Sequence, residues 1–136
     1  MFDLRDLGSC TVFYNDARLR PIDHVAWNPV APNLISVVPH KSYEVITIDI
    51  RNYRHPVGVK LHNHKASING IAWAPHNADH FCTVGSDHLA QLFKYEKNER
   101  VLEYRAEGEI NTVKWSKVNP EFMAITYQRS IEVLRV

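Results

Sequence analysis

The sequence predicts an all-β fold made of repeated four-stranded antiparallel units, and three observations lead there. Three segments align on tryptophan: IDHVAWNP around Trp27, INGIAWAP around Trp73 and INTVKWSK around Trp115, the tryptophans lying 46 and 42 residues apart. Each is followed by a Pro-containing turn and further short runs rich in β-branched and aromatic residues. No stretch keeps apolar residues at three- and four-residue spacing for more than one turn, so no helix competes. Four short strands per unit at a period of about 40 to 45 residues is the pattern of a β-propeller blade.

Taken in order, residues 1–14 read as the end of a preceding blade. The opening MFDLRDL alternates Phe2 and Leu4 with Asp3 and Arg5, as a strand already in progress does. Residues 15–61 form the first full unit: the Trp27 run, a turn with Pro29 and Pro32, LISVV, YEVITIDIR and a fourth run, VGVKL. Residues 62–104 repeat this with the Trp73 run, HFCTV, LAQLFKY and VLEYR, the charged EKNER serving as a loop. Residues 105–136 carry the Trp115 run, FMAIT and SIEVLRV, a final blade lacking its outer strand. The three tryptophans are expected at equivalent places on the central run of each unit. The expectation is therefore a partial propeller, the carboxy-terminal portion of a longer one. Bare blade faces and an unpaired last strand should make the isolated chain self-associate.

Composition narrows the function classes. With 136 residues, 45% hydrophobic and 23% charged, the chain can bury one ordinary core. No window approaches the roughly 20 apolar residues of a spanning helix, so no membrane contact is expected. A formal net charge of +1 argues against broad attraction to nucleic acid. Cys10 and Cys82 each sit in an apolar run and read as buried, reduced thiols of a cytosolic or nuclear protein.

Candidate chemistry is sparse. Of eight histidines, His62 and His64 lie two apart on a strand-like run and could begin a zinc site, but no metal-ligand spacing accompanies them. Ser86, Asp87 and His88 are consecutive and read as a turn, because triads are assembled from separated positions. Glu107 and Glu109 flank Gly108 in a solvated turn. A lone Gly85 without a following lysine or helix is a weak phosphate cradle. The Arg51–His55 stretch, RNYRH, interleaves basic and aromatic residues, but Asp49 beside it favours an ordinary loop.

The second unit, HNHKASINGIAWAPHNADHFCTVGSDHLAQLFKY, resembles a WD repeat: a His ahead of the first strand, a Trp-x-Pro turn, a Gly-Ser-Asp turn and an aromatic strand. The resemblance implies a bracing network of His64, Thr83 and Asp87, with Phe93 in place of the family's tryptophan. A Phe donates no hydrogen bond, so the network is expected to be shortened. More narrowly, INGIAWAPH, AEGEIN and the closing LRV resemble the family of plant trichome and pigment regulators and their animal counterparts, which are cullin-RING ligase adaptors and kinase scaffolds. That resemblance implies a ligase-docking ending at Phe2, Asp3 and Arg5, with a weaker copy at Asp49 and Arg51. Simple capping of strand ends on the rim is an equal alternative for both.

What the residues and the resemblance together imply is a non-catalytic interaction scaffold without cofactor or metal, cytoplasmic and nuclear. Its implied partners are protein kinases, helix-loop-helix or Myb transcription factors, or the linker of a cullin-RING ligase. The other readings are a metal-dependent hydrolase using the histidines, or a non-functional truncated gene product.

Overall fold

The computed structural model describes residues 12–52 and 64–136 in full, and 2–3 and 6–10 as backbone. Strands β1 (Phe2–Asp3) and β2 (Asp6–Cys10) pair antiparallel. The first Trp-centred unit folds as β3 (Ile22–Trp27), β4 (Leu34–Pro39) and β5 (Ile46–Asp49), a sheet in that order. A single 3-10 turn follows at Ile50–Asn52. The second unit is four-stranded: β6 (Ile68–Trp73), β7 (His80–Gly85), β8 (Leu89–Lys94) and β9 (Glu99–Arg105). The third is β10 (Ile110–Trp115), β11 (Phe122–Tyr127) and β12 (Ser130–Arg135). The chain is thus all-β, a partial propeller whose sheets are antiparallel meanders. The VGVKL run lies outside the described residues.

The repeat is visible in the register. Each first strand slips at the same point, between Ile22 and His24, Ile68 and Gly70, and Ile110 and Thr112. The residue passed over is Asp23, Asn69 or Asn111, small polar residues suited to a local bulge. The three tryptophans do fall at equivalent positions, paired with Ile35, Phe81 and Met123. They end the first strand, at the edge of each sheet, and not a central run. The strand after the Pro turn pairs on both sides and therefore takes the middle place. EKNER also divides: Tyr95 to Asn98 make the turn, with Asn98 at φ 51°, while Glu99 and Arg100 already belong to β9.

Alternation along the strands sends successive side chains to opposite faces, and both faces of the middle sheet are covered. On one side Ile68, Trp73, Phe81 and Phe93 pack with Val38 of β4 and Val45, just ahead of β5. On the other, Cys82, Val84, Ala90 and Leu92 meet Ile110, Val113, Met123 and Ile125 of the third. This explains why β7 and β8 are buried at nearly every position, including Thr83 and Gln91. The Cys82 thiol is free and fully enclosed, which pushes its pKa up to about 12 and leaves it inert. Among the described residues no sheet covers the outer face of β12, where Ile131 and Val133 are 76% and 63% exposed.

Candidate functional site

The turn between β7 and β8 is where the middle unit concentrates its polar contacts. His64, just ahead of β6, holds Asp87 through Nδ1, at 2.9 and 3.0 Å from the two carboxylate oxygens. Its Nε2 lies 2.8 Å from the Thr83 hydroxyl. Asp87 further accepts the backbone N–H groups of Lys65 and Leu89. His64 and Thr83 are buried, and the Asp87 side chain is 7% exposed, so these bonds work in a low-dielectric setting. A carboxylate only accepts, so Nδ1–H is the donor to Asp87, while Nε2 pairs with the hydroxyl. Gly85 is required there, because a Cβ would stand 2.8 Å from the Ser67 carbonyl oxygen and 2.9 Å from His64 Nδ1. Phe93 sits elsewhere, stacked on Phe81 at 5.5 Å in the aromatic cluster with Trp73.

The first unit braces the matching place with other residues, which the sequence reading missed. Asp16 accepts two bonds from the Arg20 guanidinium, at 3.0 and 3.1 Å, the backbone N–H of Arg18 and Arg20, and the Tyr14 hydroxyl at 3.0 Å. Arg20 continues to the Ser42 hydroxyl at 3.3 Å and lies 3.8 Å from Glu44, in the turn before β5. The guanidinium holds the Asp16 carboxyl well below the usual carboxylate range. Burial, with help from Asp16, pushes Tyr14 up to about 12. The signal for it in the sequence is an acid and an arginine four residues apart in DARLR, where the repeat pattern asks for a histidine.

At the opposite ends of the strands lies the Asp49 corner. Asp49 closes β5, and its carboxylate accepts from Asn33 at 3.1 Å and from the Arg51 guanidinium at 2.6 to 3.2 Å. These contacts hold its carboxyl well below the usual range. The Arg51 side chain is 73% exposed, so it is oriented by Asp49 yet open to solvent. Strand β1 contains Phe2 and Asp3, whose side chains, with all of Arg5, lie outside the described residues. His62 does too. Among the described residues no group of three or more His, Cys, Asp and Glu side chains stands close enough to hold a metal. Glu107 and Glu109 are exposed, and Ser86 accepts from Asn69 in its turn.

The tryptophans link the stack to this same rim. Trp27 and Trp115 donate their indole N–H to the carbonyls of Pro32 and Pro120, each at 2.7 Å. Trp73 has Ala78 where they have proline, and that carbonyl is taken by the Asn28 side chain at 2.8 Å. Its indole turns instead to the Ser36 hydroxyl of the neighbouring sheet, at 3.2 Å.

Stacked antiparallel units of three or four strands, the first two braced at their turns, define a repeat protein of propeller type, with its polar features at the rims. No family model matches the chain. It is 35% identical over 141 aligned residues to the DDB1- and CUL4-associated factor 7 homolog of Dictyostelium discoideum, an alignment that takes in the whole of this chain. This supports the WD-repeat class in its broad sense. The chain spans 43% of that relative's length.

Proposed function

We propose that the chain is part of a non-catalytic WD-repeat adaptor that binds other proteins through its rims. The observation that carries this reading is the similarity, over the whole chain, to a protein described as associated with DDB1 and CUL4. The linker of a cullin-RING ligase is the first partner to test; kinases and helix-loop-helix or Myb transcription factors follow from the narrower resemblance. Cytoplasm and nucleus are the proposed sites of action. The blade boundaries at 14, 61 and 104, the brace of His64, Thr83 and Asp87 shortened at Phe93, and the docking set of Phe2, Asp3, Arg5, Asp49 and Arg51 belong to the same proposal.

Docking and capping are compatible at the Asp49 corner, since the carboxylate that caps the strand also aims an exposed guanidinium outward. The test is binding of purified DDB1 to the chain and to its Arg51→Glu variant. A loss of about tenfold or more at unchanged melting temperature is expected for a guanidinium in a desolvated contact. Equal binding by both would leave Arg51 a cap and nothing more.

A further inference from the structure

Where the turns after Trp27, Trp73 and Trp115 stand side by side, they line an open groove of about 590 Å³. Its walls include Trp27, Pro29, His76, Lys114, Trp115 and Lys117, and no acidic residue lines it. Both indole N–H groups of Trp27 and Trp115 are already spent on proline carbonyls, so what those rings offer a visitor is apolar surface. Trp27 is 56% exposed. Lys114 and Lys117 are exposed, and His76 Nε2 donates to the Lys117 carbonyl at 3.1 Å, tying the second unit's turn to the third's. The turns themselves are held by Asn28, whose side-chain oxygen accepts from Val30 and Ala31, and by Ser116, which accepts from Asn119. The groove is therefore largely preformed.

We propose that this groove docks an acidic peptide segment of a partner protein, with carboxylates on Lys114 and Lys117 and apolar or proline side chains against the Trp27 and Trp115 rings. This rests on the adaptor reading and adds to it the chemistry of one partner. Charge complementarity selects the occupant: cations line the groove with no carboxylate among them, while aromatic and proline surface favours an extended peptide. A nucleic-acid strand fits worse, because it needs a continuous track of cations. Towards the outer part of the same rim the turns carry Asp79, Glu96 and Glu121, with Glu96 N–H bonded to Asp79.

The test is fluorescence polarisation with three labelled probes: a peptide alternating glutamate with leucine and proline, the same peptide with lysine for glutamate, and a poly-dT oligonucleotide. Preferential binding of the acidic peptide is expected, weakened at least tenfold in Lys114→Glu/Lys117→Glu, restored in Lys114→Arg/Lys117→Arg, and reduced by salt. Both lysines are exposed, so circular dichroism should show all variants folded. Absence of acidic-peptide binding, equal binding of the lysine peptide, tighter binding of the oligonucleotide, or indifference to the double reversal would each overturn the proposal. DDB1 binding on the same samples reports the Asp49 corner separately. Its retention beside a failed peptide test would sink this inference and leave the adaptor reading standing.

Discussion

At the scale of single residues, the two braced turns solve one problem with different chemistry. Each must hold the segment ahead of a first strand against a turn two strands away, and each does so with a buried carboxylate that also gathers backbone N–H groups. In the middle unit Asp87→Ala removes the acceptor from His64, Lys65 and Leu89 together. Losing a buried charge-assisted bond costs about 1.5 to 3 kcal/mol, so Asp87→Ala should lower the urea midpoint far more than Asp79→Ala, whose carboxylate accepts one exposed backbone bond. Matching midpoints for the two variants would remove the bracing role. In the first unit the depressed Asp16 pKa has a pH consequence. The unfolded carboxyl titrates near pH 4, so the contribution is fully present above that value. It is lost as pH falls further, towards the lowered folded pKa. Melting temperature followed from pH 6 down to pH 2 should therefore drop less steeply in Asp16→Asn than in the parent, with the variant already weaker at neutral pH.

At the scale of elements, what a strand position buries depends on the sheet that lies against it. Trp73 shows the point: it ends β6 as Trp27 ends β3, but it is 5% exposed and reaches across to Ser36, whose hydroxyl also pairs with Thr47 at 2.8 Å. Asn69 makes a similar crossing to the Ile110 carbonyl at 3.0 Å. Trp73→Phe should cost about 1 to 2 kcal/mol through a partly unfilled site and a lost inter-sheet bond. Trp27→Phe, on an exposed face, should cost about 0.5 kcal/mol or less. Denaturant titration of the two variants checks the ranking. Equal losses would mean that the sheets are not held together through the Trp73 face.

At the scale of the molecule, the exposed apolar faces govern solution behaviour. Ile131 and Val133 project from β12 on the face that the preceding units use to meet their successors, and Val25 at the other end is 69% exposed. Apolar surface of this extent drives association, and β12, an edge strand among the described residues, adds backbone donors and acceptors. The 136-residue chain should therefore run as oligomers in light scattering, and Ile131→Lys/Val133→Lys should shift it towards the monomer. A monodisperse 15.7 kDa species from the parent chain would show that these faces are tolerated bare.

The sequence by itself determined the strands, their antiparallel order and the repeat, because period-two alternation, Pro and Asn turns and an Ile-Asp/Asn-x-x-x-Trp run are local signals. The resemblance of its second unit to a WD repeat implied the set of His64, Thr83 and Asp87. Tertiary structure alone decided the rest. The Asp16–Arg20 brace departs from the repeat pattern, and its meaning appears only when Ser42 and Glu44 are folded against it. Three tryptophans in equivalent positions have unequal fates because burial depends on the neighbouring sheet and on whether a proline carbonyl is free to accept the indole N–H. The basic groove likewise joins residues as distant as Trp27 and Lys117, brought together by stacking.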